Sequence, residues 1–416
     1  MKTCTFLIAC AFVFSACNKN GGKNAPHGDI VYLETNDFSQ NAVLAYWHKD
    51  DSTLIPLPGS PFSTGGTGVG NPTQALGPDD DDNEVRITRD KRFLMAVNTG
   101  SNTIAVFRIQ DHGLLSPVPG SPFSSGGLNP VSIGENGKYI YVVNKSIDPS
   151  VSKEHSLPNY TVFTIDNDGK LWPVPHSTIE TTAGTSPSQA LVSRDGRFVF
   201  GDDWLGFTLT PAVGTLRSFT IESSGKINPV GVPQTIPDMG GALGLWQHPN
   251  NNVLYVGFPL AGKVAVYNIN EATGALTFNN SVAAGLAACW LRTDKAGNYL
   301  YALNSGENTI SVYNSSNAAS LVPVQKFTLK DSGPTYTGMG LTFTTSEDFS
   351  LHFSPSGKYL YVISQYTNPD FSLGNYNFLH VLNVGSDGTL TEPSEPLALP
   401  VPSTVRPKGV VAYDPD

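Results

Sequence analysis

The chain has 416 residues, of which only 14% are charged, with 41 Gly, 31 Pro and a formal net charge of −10. An acidic protein is repelled by phosphate backbones and anionic lipid, so nucleic acid and an anionic bilayer surface are disfavoured as partners, and the acidity also serves solubility. No long amphipathic helical pattern occurs, and the Gly and Pro content suits a turn-rich all-β chain.

Residues 1–16 read as a secretory leader. Met1-Lys2 is a short basic region, and residues 5–14 are apolar but too few to span a bilayer. Phe14-Ser15-Ala16-Cys17 then places small residues before a cysteine, similar to a bacterial lipobox. Cys17 is therefore expected to become a lipidated N-terminus, residues 17–28 a tether, and the protein an envelope lipoprotein held at the membrane by that anchor. Ordinary leader cleavage after Ala16 is the alternative. Cys4 and Cys10 leave with the leader and Cys289 stands alone, so no intramolecular disulfide is expected.

From residue 29 onward one short run of aromatic and β-branched residues recurs seven times. The copies are GDIVYLE (28–34), RFLMAVN (92–98), KYIYVVN (138–144), RFVFGDD (197–203), NVLYVGF (252–258), NYLYALN (298–304) and KYLYVIS (358–364). Their spacing of 46 to 64 residues, each unit holding several strands, predicts a seven-bladed β-propeller of four-stranded antiparallel blades over 29–416. In the second unit, residues 84–88, 92–98, 103–109 and 114–118 read as strands A to D, with Asp111-His112-Gly113 as the C–D turn. The first unit lacks a strand A, and residues 409–413 look like one. The C-terminal strand is therefore expected to complete the first blade and close the ring.

Strands in a blade alternate in direction, so B–C and D–A connections share one face. The long connections, 59–83, 145–159, 204–214, 329–349 and 366–376, all fall there, which marks that face as functional. The near-identical PGSPFS segments at 58–63 and 119–124 read as corner turns with Phe tucked between blades.

The GKYLYV repeat, C strands such as TISVY (309–313) and the Gly-Lys-Leu or Gly-Thr-Leu turns resemble the seven-bladed lactonase family over nearly the whole propeller. That family includes bacterial 6-phosphogluconolactonases and fungal carboxy-muconate cyclases. The resemblance implies hydrolysis of a sugar-acid or related lactone. It also implies a His-bearing entry to one strand A, where this chain has Ser186-Pro187-Ser188-Gln189. Further on it implies Arg-Pro-Arg-His before a later strand A and Asn-Glu after its strand B, where this chain has Ala287-Ala288-Cys289-Trp290 and Asn304-Ser305. The scaffold matches and those catalytic positions do not.

Other residues must therefore carry any chemistry. Asp79-Asp80-Asp81-Asp82-Asn83-Glu84 precedes a strand A, and Glu347-Asp348 occupies the equivalent place in another unit. With Arg406 and Lys408 they are expected to line a funnel. Lactone hydrolysis needs a base and a group to hold the oxyanion. Asp81, Asp82, Glu347 or Asp348 supply the first and Arg406 the second. No cofactor is required, although Asp80, Asp82 and Glu84 offer hard oxygen ligands for Ca²⁺ or Mg²⁺. Asp203, Asn98, Asn144, Asn304 and Glu34 end their B strands on this face. They serve either to satisfy backbone groups or, as with Asp203 and Asn304, to grip ligand hydroxyls. Trp204 and Trp290 serve as blade packing or as a stacking platform for a sugar. The alternative to a lactonase is a non-catalytic propeller, also monomeric, that binds a glycan or protein on the same face.

Overall fold

The computed structural model describes residues 28–49, 53–69, 84–146, 156–236, 238–338, 340–368, 373–402 and 404–415. The leader, Cys17 and most of the tether lie outside these residues, as does the acidic run 79–83 with Asp80, Asp81 and Asp82.

Seven antiparallel sheets are arranged as blades, and each of the seven recurring runs forms strand B of one blade. In blade two the strands are Val85–Ile87, Phe93–Asn98, Thr103–Ile109 and Leu115–Pro117, within a residue or two of the ranges read from sequence. The ring closes as expected. Lys408–Tyr413 pairs with Gly28–Glu34 as the innermost strand of blade one, with Tyr32 opposite Val411. Blades one, two, three and seven depart from the four-strand expectation by carrying a fifth, two-residue strand. In blades one and two it is the end of the PGSPFS segment: Phe62–Ser63 pairs with Ala42 and Val43, and Phe123–Ser124 with Thr103 and Ile104. The Ser60 and Ser121 hydroxyls accept the amides of Ala45 and Val106. Strand D covers only part of strand C, and this segment covers more of the exposed edge.

Why the run recurs follows from what its side chains do. Seven apolar layers form, one at each junction between neighbouring blades. Aromatic residues of the run cross each junction. Tyr32, Tyr139 and Tyr301 donate their hydroxyls to Gly113, Ser223 and Gly388 in the C–D turn of the next blade, at 2.6, 3.0 and 2.9 Å. A buried phenol hydroxyl requires such a partner.

The last residue of strand B has a second recurring task. Glu34 accepts from Asn41, Asn98 donates to Thr103, Asn144 to Asn159, and Asn304 to Thr309 and Ser311, while Asp203 meets Arg217. In five blades, therefore, a buried polar pair ties the end of B to the chain leading into C or to C itself.

The strands of each blade are antiparallel neighbours, so its B–C and D–A connections leave from the same rim. Between blades six and seven the connection folds into a hairpin, Thr335–Gly338 with Leu341–Thr344, in which Tyr336 and Phe343 stack at 5.4 Å. Among the described residues no helix is long and apolar enough to cross a membrane.

Candidate functional site

Blade seven presents strand A Ser346–Phe353, strand B Tyr359–Thr367 and strand C Leu373–Val384. Asp348 lies directly opposite Ser364 on strand B, and Glu347 opposite Gln365. The Gln365 amide donates to the Pro407 carbonyl at 2.7 Å, which brings the chain entering the closing strand against blade seven. The Lys408 ammonium lies 5.6 Å from the centre of the Phe349 ring, and Phe349 meets Trp290 edge-on at 4.7 Å. The structure thus gathers Glu347, Asp348, Lys408 and Trp290 in one corner between blades six, seven and one, with Arg406 buried two residues before Lys408.

Asp348 is the unusual member. Its residue exposure is 0%, and neither carboxyl oxygen makes a well-formed hydrogen bond among the described residues. Burial pushes its pKa well above the ordinary carboxylate range. The amides of Asp348 and Asn304 offset this in part, while the charges of Glu347 and Glu307 add to it. The Asp348 carbonyl accepts the Ser305 hydroxyl at 2.7 Å, and that hydroxyl lies 3.1 Å from the Cys289 sulfur. Asp348 therefore stands beside Asn304-Ser305 and Cys289. Cys289 itself is buried in strand A of blade six.

The remaining candidates are engaged differently. Asp203 accepts the amides of Ser186, Leu205 and Gly206 through one oxygen and meets Arg217 at 3.2 Å through the other. Asn304 accepts the Gly285 amide at 2.7 Å as well as donating to strand C. Trp204 and Trp290 are both buried in the apolar layer that joins blades six and seven. Glu84 is buried too, and lines a narrow central cavity with Arg292, Ser350 and Gly409. Among the described residues no group of three His, Cys, Asp or Glu side chains is placed to hold a metal ion. Deeper along the same inner strand, burial and the guanidinium groups of Arg292 and Arg86 push the His352 pKa down to about 3, so its imidazole is neutral.

Reading the sequence alone missed a chain of polar groups in blade seven. The Ser364 hydroxyl is 2.7 Å from His380 Nε2, and His380 Nδ1 is 2.7 Å from Glu392 Oε1. Glu392 also accepts the Lys330 amide at 2.8 Å. The signal available was a histidine in the apolar run FLHVLNV. The matching register slot holds Ala45, Ala105 and Ala265 in blades one, two and five.

The fold and the loop-rich corner define a seven-bladed propeller with an ionisable site at a blade junction. Residues 204–364 match the family model described as Lactonase, 7-bladed beta-propeller. No curated protein matches the sequence. Among solved structures, it is similar to a candidate 6-phosphogluconolactonase from Bacteroides uniformis, at 16% identity over 92% of this chain and 99% of that one, with a TM-score of 0.65. A second such candidate, from Bacteroides fragilis, gives 17% identity over 94% and 100%, with a TM-score of 0.66. The periplasmic gluconolactonase of Pseudomonas aeruginosa gives 18% over 92% and 99%, with a TM-score of 0.64. At such identities these likenesses speak to the fold.

Proposed function

We propose that the protein hydrolyses a sugar-acid or related lactone in the corner between blades six, seven and one. One observation carries the reading: a fully buried carboxyl, Asp348, whose pKa burial pushes well above the ordinary carboxylate range, stands beside Asn304-Ser305, the place where the family resemblance calls for a carboxylate. Opening a lactone needs an attacking water, a group to hold charge on the carbonyl oxygen, and a proton for the departing alkoxide. A carboxyl kept neutral at ordinary pH donates that proton or hydrogen bond. Its half-buried neighbour Glu347 takes the proton from water; adjacent carboxyls in unlike environments divide acid and base roles in this way. Arg406 and Lys408 supply positive charge for the acid group of the substrate. The leader and Cys17 favour an envelope location and an unphosphorylated lactone, since phosphorylated sugar acids arise on the cytoplasmic side.

The test is hydrolysis of glucono-δ-lactone, its 6-phosphate and an aromatic-acid lactone, followed as acid release above the uncatalysed rate. Wild-type protein should turn over at least one, and Asp348→Asn should lower kcat by about 10²–10⁴-fold. Calorimetric binding without turnover across the panel would replace this reading with a binding propeller.

A further inference from the structure

One side chain from each strand of blade seven, or from its end, falls on a single buried line. Asp348 is on strand A, Ser364 on B and His380 on C, and Glu392 follows the short strand D Leu390–Thr391. Asp348, Ser364 and His380 are each fully buried. Asp348 and Ser364 are direct antiparallel partners, so their side chains share a face with Cβ atoms about 5 Å apart. Ser364 and His380 are diagonal neighbours on that same face, because Val362 is the partner of His380.

The proton positions follow from the partners. Glu392 accepts from His380 Nδ1, so Nε2 is a lone pair and the Ser364 hydroxyl donates into it. The Ser364 oxygen then keeps lone pairs for the face that it shares with Asp348. A protonated carboxyl on that face finds an acceptor. In other blades the polar residue ending strand B finds its partners on or just before strand C, as in Asn144–Asn159 and Asn304–Ser311. In blade seven the line runs on to Glu392 at the outer flank, where Lys330 and Glu395 pair at 2.7 Å.

We propose that Ser364, His380 and Glu392 form a proton relay that serves Asp348, an inference that rests on the acid role given to Asp348 above. After Asp348 has protonated the departing alkoxide, a proton from solvent water makes His380 an imidazolium stabilised by Glu392. The Nε2 proton of His380 then passes to the Ser364 oxygen as the Ser364 proton passes to the Asp348 carboxylate. This reloads the acid and leaves a neutral serine and a neutral imidazole. Only O–H and N–H bonds change, and no co-reactant is consumed. A small side-chain rotation or a bridging water closes the step between Asp348 and Ser364. The charged groups around the line are Glu347 and Glu307 at Asp348, Lys408 and Arg406 on the neighbouring closing segment, and Lys330 and Glu395 beyond Glu392. Ser364, His380 and Glu392 are positioning residues.

Two measurements decide the matter. With a lactone that the wild type turns over, Ser364→Ala and Glu392→Gln should each lower kcat at least about tenfold, with KM changed less than about twofold. Both should displace a limb of the pH profile, and Ser364→Thr should restore it. Wild-type kcat and pH profile in folded variants would overturn the relay while leaving the lactonase reading intact. Absence of wild-type turnover would sink the lactonase reading instead. The relay is then judged in the unsubstituted protein by NMR, following the Asp348 carboxyl carbon and the His380 ring nitrogens with pH. Coupled changes are expected, and titration of Asp348 without response at His380 overturns the proposal.

Discussion

A buried carboxyl without a well-formed hydrogen bond is expensive to keep, and Asp348 pays for it in stability. Its folded-state pKa lies above the unfolded value near 3.9, so the folded protein holds this proton more tightly than the unfolded chain does. Below that value the residue costs nothing through ionisation. As pH rises from there toward the folded pKa, unfolding becomes easier by up to about 1.4 kcal/mol per pH unit. Asp348→Asn removes this penalty. The variant should match wild type in urea unfolding near about pH 4 and exceed it near about pH 8, with the gap widening between. A flat gap across pH would show that Asp348 is ionised in the folded state. The variant that loses activity should therefore gain stability at neutral pH, the trade-off expected of a strained functional group.

At the scale of elements, the C–D turn glycine has two jobs, and only one could be read in advance. The turn chemistry was legible, and Gly388 does adopt a left-handed φ of 80°. Its second job is close approach. A Cβ on Gly388 would lie 2.3 Å from the Tyr299 ring of blade six, and Tyr301 donates to the Gly388 carbonyl. Gly388→Ala should therefore cost about 2–4 kcal/mol, from φ strain plus overpacking, read as a lower urea midpoint at unchanged m-value. Strand order and blade count were legible because a half-buried strand repeats every second residue and the recurring run marks each one. The line Ser364–His380–Glu392 was not, because its members are separated by 16 and 12 residues and meet only through sheet register. Asp348 was singled out for its place before strand A, yet its burial depends on Asn304, Ser305 and Cys289 of the neighbouring blade. No local pattern encodes that packing.

For the whole molecule, closure is the decisive contact. Lys408–Tyr413 gives blade one its inner strand and also packs against strand A of blade seven, so a single segment holds the ring shut and carries Lys408 to the site. Deleting residues 404–416 should expose the inner edge of Gly28–Glu34 and leave blade seven facing a gap. The expected result is a broadened thermal transition and oligomers on size-exclusion chromatography, since open strand edges pair with one another. A compact monomer with a wild-type melting profile would mean that the remaining contacts between blades close the ring unaided.

That same strand sets a clock. Lys408 follows Glu34 by 374 positions, and a ribosome needs roughly 20–75 s to cover them. Blade one, though made first, cannot be finished until then. Throughout synthesis the first sheet keeps an unfilled inner edge. The ring locks only when its last strand arrives.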